Sequence, residues 1–146
     1  AVVKQNLAAN PLAAGIEVRR DGDRLLISVP ADLAFAPGSA QLSARAEPML
    51  AAIASVLRTI VNDVATEGHA DPSPLTAGAF ASNWELSLAR AEAVASVLRT
   101  LEGREAIVAR GFADSRFADL PPGEAERRRA AARRVDIVIL PGRGGA

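Results

Sequence analysis

The sequence of 146 residues contains no cysteine, one histidine (His69), one tryptophan (Trp84) and one lysine (Lys4), and aromatic residues make up only 3 % of it. Without cysteine there is no disulfide frame, no zinc site built on thiolates and no thiol nucleophile. A single histidine makes any Ser-His-Asp arrangement or His-based metal site depend on that one residue. No uncharged apolar run approaches the roughly 18 residues of a membrane-spanning helix, and the start, AVVKQNLAANPLAAG, lacks the basic end, apolar middle and cleavage site of a signal peptide. Charge of one sign is missing too. Seventeen basic and seventeen acidic residues cancel, so neither a global polyanion binder nor an acidic tail is supported. As it stands the chain reads as soluble, and its start without methionine is what a piece of a longer protein would show.

Alanine and arginine are abundant instead: 32 alanines, and 16 arginines among the 17 basic residues. Leu, Ile, Val and Phe still form about 26 % of the chain, above the roughly 20 % below which disorder is expected. One domain with a sizeable core follows from these proportions.

Along the chain, residues 1–14 are alanine-rich and read as a linker or N-terminal arm interrupted at Asn10-Pro11. A hairpin comes next: Ile16 and Val18 alternate with Glu17 and Arg19, Asp21-Gly22-Asp23 supplies the turn, and Leu25 to Val29 resumes before Pro30. Ala46, Leu50, Ile53 and Leu57 recur at helical spacing in a helix capped by Ser43 and running to about Thr59. Residues 60–68 read as a strand leading into a loop at His69, Ala70 and Asp71. That loop contains Pro72, Pro74 and Gly78 and is the longest non-periodic stretch, a length usually associated with function or mobility. Ser82-x-x-Glu85 forms a capping box for a helix ending near Glu102, with Gly103 as its stop. A strand at 106–112, a short charged helix at 124–133 and a strand through Val135, Ile137 and Ile139 complete the domain at 15–140; PGRGGA at 141–146 reads as a disordered tail. This interleaving predicts an α+β two-layer sandwich, a mixed sheet of about four or five strands with helices packed on one face.

The chemistry-bearing residues argue against an enzyme. Most acids adjoin arginines on predicted helix faces and read as solvated surface charge, no glycine-rich phosphate loop joins a strand to a helix, and no metal-ligand spacing or cofactor motif is present. Arg127-Arg128-Arg129 follows Glu124 and Glu126, so Glu–Arg pairs on an exposed helix account for the run and no nucleic-acid partner is expected. The helix after Ser82 is more informative: Asn83, Leu86, Ser87 and Arg90 fall on one stripe, beside the mouth of the loop that starts at Asp71. Asp71 and Arg90 have two readings on spacing alone. They form an internal salt bridge that holds the loop, or Asp71 takes an ammonium while Arg90 forks onto a carboxylate and together they read a zwitterionic amino-acid end.

The segments GHADPSPLTAGAFASNWELSLARAEAV (68–94), LPPGEAERRRAAARRVDIVIL (120–140) and ADLAFAPGSAQLS (31–43) resemble the OmpA-like peptidoglycan-binding domain over about residues 16–140. Phe80, the run Asn83 to Ser87, and Arg90-Ala91 are most similar to periplasmic domains of the MotB type from flagellar stators; the related domain of type VI secretion proteins shares the Ser-Asn-Trp stretch. The resemblance implies that Asp71 and Arg90 bind the diaminopimelate end of the peptidoglycan stem peptide, with Asn83 and Arg133 assisting. It further implies a periplasmic domain of a protein anchored in the bacterial inner membrane, a MotA-like channel subunit as partner and a homodimer. Two positions depart from the family pattern: Ala70 stands where the family has Thr, and Ala132 where it has Asn. His69 is expected to be a hydrogen-bonded structural residue at the site edge, and Trp84 a packing residue. An assembly module that has lost wall binding is the alternative of a different class.

Overall fold

The computed structural model describes residues 2–73, 80–103 and 106–141. The expected loop positions Pro74 and Gly78, and the tail beyond Pro141, lie outside the described residues.

The hairpin forms as the turn sequence requires. Strands β1 (Glu17–Asp21) and β2 (Arg24–Pro30) pair antiparallel, with Asp21 opposite Arg24, so the loop is the two residues Gly22-Asp23. Gly22 has φ +63°, the left-handed conformation such turns demand and only glycine adopts freely. A short helix, α2 (Ala31–Ala34), follows. Helix α3 (Ala46–Leu57), strand β3 (Val64–His69), helix α4 (Asn83–Glu102), strand β4 (Val108–Gly111), helix α5 (Ala125–Ala132) and strand β5 (Arg134–Ile139) come after it. The five strands lie in the order β1-β2-β5-β3-β4, and every pair is antiparallel except β3–β4. This is a mixed sheet with α3 and α4 packed on one face, the architecture expected from the sequence.

Alternation fixes which side chains meet those helices. Ile27 and Val29 of β2 and Val135 and Ile137 of β5 point inward, against Met49, Leu50, Ile53 and Leu57 of α3 and Val94 and Leu98 of α4. The N-terminal residues are part of this packing. Helix α1 (Val2–Ala8) and a 3-10 turn at Pro11–Ala13 lie on α3 and bury Val3, Leu7 and Ala13.

Helix α4 approaches the sheet unusually closely. A methyl group on Gly68 of β3 would overlap the Ser87 carbonyl, and one on Gly111 of β4 would sit 2.7 Å from the Leu88 amide nitrogen. The two glycines therefore let the helix backbone rest directly on two parallel strands, and Thr66 Oγ1 donates to the Ala91 carbonyl at 2.8 Å along the same contact.

One local expectation is corrected. Ser43 does not cap α3: its hydroxyl donates to the Leu33 carbonyl at 2.8 Å, and the helix begins at Ala46 with Arg45 in the cap position and no side-chain cap bond.

Candidate functional site

Helix α4 begins and ends where its sequence signals stand. Ser82 Oγ accepts from the Glu85 amide at 3.2 Å, and Gly103 closes the helix at φ +72°. The stripe then does what its spacing predicts: Leu86, Ser87 and Arg90 are buried, and Asn83 sits at the N-terminal end. Ser87 Oγ accepts from the Ala113 amide at 3.0 Å and donates to the Trp84 carbonyl at 2.9 Å, which fastens the turn after β4 to the helix.

At the C-terminal end of β3 the Ala70 amide donates to the Ala113 carbonyl at 2.8 Å, and Asp71 follows at 7 % exposure. The Asp71 carboxylate accepts from the Ser73 amide on Oδ1 at 2.9 Å, an Asx-type turn, and from Arg133 Nη1 on Oδ2 at 2.6 Å. Asn83 Nδ2 donates to the Ser73 carbonyl at 2.8 Å and reaches the Asp71 carbonyl at 3.3 Å, so it holds the backbone that carries the carboxylate.

Arg90 is 5 % exposed, and the internal salt bridge to Asp71 that the spacing offered as one reading does not form. Nε donates to the Ser39 carbonyl at 2.8 Å and Nη2 to the Ala36 carbonyl at 3.1 Å, while the guanidinium lies 5.0 Å from the Phe35 ring centre. Among the described residues Nη1 makes no hydrogen bond, and no direct Asp71–Arg90 ion pair forms. Burial lowers the Arg90 pKa from the usual guanidinium value, partly offset by the carboxylates of Asp32 and Asp71. Arg133 supplies the ion pair instead. It forks onto both oxygens of Asp32, with Nε at 3.0 Å from Oδ1 and Nη2 at 2.9 Å from Oδ2, while Nη1 holds Asp71. Those bonds, led by the one to Asp32, raise its pKa.

All four expected residues thus belong to one neighbourhood, in roles that spacing did not assign: Asp71 and Arg133 are paired, Asn83 braces the loop, and Arg90 anchors the 35–39 segment. Asp32, in the first turn of α2, joins them unforeseen; nothing near position 32 in the sequence hints at a partner 101 residues away. Glu126 stands 3.7 Å from Arg133 and is itself paired with Arg129, so three guanidiniums and three carboxylates converge there with no net charge. Such a cluster can accept a zwitterion without leaving an excess charge of either sign.

Three further expectations meet the structure as follows. His69 is buried at 5 % exposure, but among the described residues neither ring nitrogen has a hydrogen-bond partner; the ring stacks on Phe112 with centres 5.2 Å apart. Trp84 is 55 % exposed and takes no place in the core. The surface reading of the acids fails for Asp136 and Glu67, which are buried on the sheet face away from α3 and α4. The Arg127–Arg129 run follows its spacing only in part: Glu126 pairs with Arg129 at 2.8 Å, but the Glu124 carboxylate caps α5 through the Glu126 and Arg127 amides, and Arg128 turns to the Phe117 carbonyl and ring. Among the described residues no group of His, Asp or Glu could hold a metal ion, and no helix is long and apolar enough to cross a membrane.

Residues 34–134 match the model of the OmpA family. Two curated relatives are from Bacillus subtilis: the uncharacterized protein YtxE, 32 % identical over 89 % of this chain and 54 % of its own length, and Motility protein B, 28 % identical over 90 % of this chain and 50 % of its own length. The chain spans about half the length of these curated relatives. Among solved structures, the cell wall anchor of the type VI secretion system from Pseudomonas aeruginosa superposes with a TM-score of 0.83 at 32 % identity, covering 96 % of this chain and 97 % of that one.

Proposed function

The chain belongs to the OmpA family, and from that membership we propose that it is a non-catalytic peptidoglycan-binding domain that ties a larger envelope complex to the cell wall. The observation that carries this reading is the neutral cluster at the end of β3, where Asp71, Arg133, Asp32 and Arg90 converge. The ligand is the diaminopimelate end of a stem peptide. Its ammonium meets Asp71, its carboxylate meets the Nη1 edge of Arg90, which has no partner among the described residues, and Asn83 and Arg133 hold the acid in place. Diaminopimelate fits because it presents both charges on one carbon, so an acid and a base held together recognise it where a patch of one sign would not. Each charge-assisted contact contributes roughly 1.5–3 kcal/mol if shielded and less if exposed. Single-site binding is therefore weak, and a homodimer facing a polymeric wall raises avidity by about 10²–10⁴ when both sites reach it.

At a finer level we place the domain in the periplasm, as the wall-binding end of a MotB-type stator protein anchored in the inner membrane beside a MotA-like channel subunit. The 28 % identity to Motility protein B supports this assignment. A second reading within the same class is a type VI secretion anchor, favoured by the likeness to the Pseudomonas aeruginosa wall anchor over nearly the whole of both chains. Deleting the gene separates the two: loss of swimming with secretion intact selects the stator, and the converse selects the secretion anchor.

The binding site is tested by titrating the protein with a diaminopimelate-containing muropeptide. Saturable NMR shifts at Asp71, Asn83 and Arg90 are expected, and Asp71→Asn, which keeps the Ser73 amide bond but removes the charge, loses sedimentation with purified sacculi. Silence in the titration together with unchanged sedimentation would overturn the site and leave an assembly module.

A further inference from the structure

Strand β1 forms one edge of the sheet, and among the described residues it pairs with β2 alone. The two-residue turn makes Asp21 and Arg24 the closing hydrogen-bonded pair, and the ladder alternates from there. Glu17, Arg19 and Asp21 therefore bond to β2, while the amides and carbonyls of Val18 and Arg20 point outward. Among the described residues none of these outward groups has a partner.

Beside this edge lies a groove of about 550 Å³, with Ile16 and Val18 on one side and Lys4, Leu7, Pro11 and Ala13, from α1 and the 3-10 turn, on the other. Its floor is apolar: Leu7 and Ala13 are buried, and Ile16 and Val18 pack on the same core. Alternation places Val18 and Arg20 together on the helix side of β1, because their partners across the ladder, Ile27 and Leu25, also pack on that core. Two cations thus border the groove: Lys4, the single lysine of the chain, and the exposed Arg20. Neither side chain has an ion pair or hydrogen bond among the described residues. The neighbouring Arg19 and Arg24 differ, being paired with Asp136, Asp21 and Glu67. Glu17 also borders the groove, but alternation turns its side chain to the opposite sheet face with Arg19 and Asp21.

An open strand edge offers main-chain hydrogen bonds to an added strand, and pockets at alternate positions select its side chains. Side chains of an added strand that face Val18 and Arg20 stand two residues apart on one face. The first enters the apolar groove, and the second meets a cation without a partner. A second copy of this chain lacks that pattern, since the helix-side residues of its own edge are Ile16, Val18 and Arg20, with no acid among them.

We infer that the β1 edge and its groove form a docking site for an extended segment of a partner protein, added as a sixth strand, that carries an apolar and an acidic residue two positions apart. The site shares no residue with the Asp71 cluster and stands whether or not that cluster binds the wall.

The probe is the blocked peptide Thr-Val-Thr-Asp-Thr-Val-Thr, whose sequence reads alike in both directions and so assumes no strand polarity. Titrated into 15N-labelled protein, it is expected to shift the Val18 and Arg20 amides saturably and to slow their hydrogen exchange at least tenfold. The same peptide with Lys in place of Asp is expected to bind at least tenfold more weakly, and protein carrying Lys4→Glu and Arg20→Glu to reverse that order, a reversal that only folded protein can show. Amides of β1 that stay put at millimolar peptide, or equal binding of the two peptides, overturn the inference. Shifts at Val18 and Arg20 that come with rising protein concentration alone overturn it too, and assign the edge to a second copy of the chain.

Discussion

Asp71 takes its side-chain ion pair from Arg133, at 2.6 Å, and not from Arg90 on the facing helix. The consequence for any ligand is that the acid arrives already oriented. Arg133 in turn is fixed by Asp32, so a small molecule entering the cluster meets groups whose rotamers are set before it binds, which lowers the ordering cost of recognition.

Arg90→Ala is expected to lower stability by about 2–4 kcal/mol, because it removes a buried guanidinium and its two charge-assisted hydrogen bonds to the Ser39 and Ala36 carbonyls. Arg90→Lys restores a charge but not the fork that spans Ala36 and Ser39, and should recover less than half of the loss. Urea denaturation of both variants measures this. A stability unchanged from wild type would mean that the 35–39 segment is held by other contacts, and only then would loss of wall binding in Arg90→Ala report on the ligand alone.

Gly68→Ala should cost about 3 kcal/mol or more, since the added methyl group meets helix backbone that cannot turn aside. Gly123→Ala meets nothing within 4 Å and serves as the neutral control. Thermal unfolding of the pair checks the close contact between β3 and α4; equal melting temperatures would contradict it.

The His69 pKa of about 4 makes a signed prediction. The unfolded chain, with a histidine pKa near 6.5, binds more protons than the folded one between the two values. Stability contributed by the neutral ring is therefore complete above about pH 6.5 and is lost as pH falls toward 4, by roughly 3 kcal/mol in all. His69→Phe, which keeps the stack on Phe112, should flatten the stability difference across this window. Identical pH profiles for the two proteins would show that His69 titrates normally.

Trp84→Ala is expected to change stability by no more than about 0.5 kcal/mol, given the exposure of the ring. If the variant also sediments less well with sacculi, the indole acts as a contact for the wall; a loss of stability above about 2 kcal/mol would instead restore the packing role.

What could be read from the sequence was whatever depends on neighbours in the chain. Ser82 and Gly103 bound α4 because a cap and a left-handed glycine act within one turn, and Gly22 sets the hairpin for the same reason. The four residues singled out with the help of family resemblance do meet in space, but their pairing was not legible. Arg90 reaches back 51 and 54 residues to two carbonyls, and Arg133 reaches 101 residues to Asp32. Backbone carbonyls leave no mark in a sequence, and an acid such as Asp32 looks like any surface charge until the chain closes. Asp136 shows the same limit from the other side: its alternation in β5 marks a side chain facing away from the helices, yet Ser28, Arg19 and Arg134 bury it to 1 % exposure.

The place of β3 in the sheet bears on how the domain carries load. Asp71 lies just beyond the end of this strand, which is flanked by β5 through six paired residues and by β4 through four. A pull on Asp71 along the strand direction is resisted by ladders whose hydrogen bonds run across the line of force. They strain together in shear, where a pull across an edge strand would open them one after another like a zip. A tether seated here would draw on the strength of the whole sheet at once.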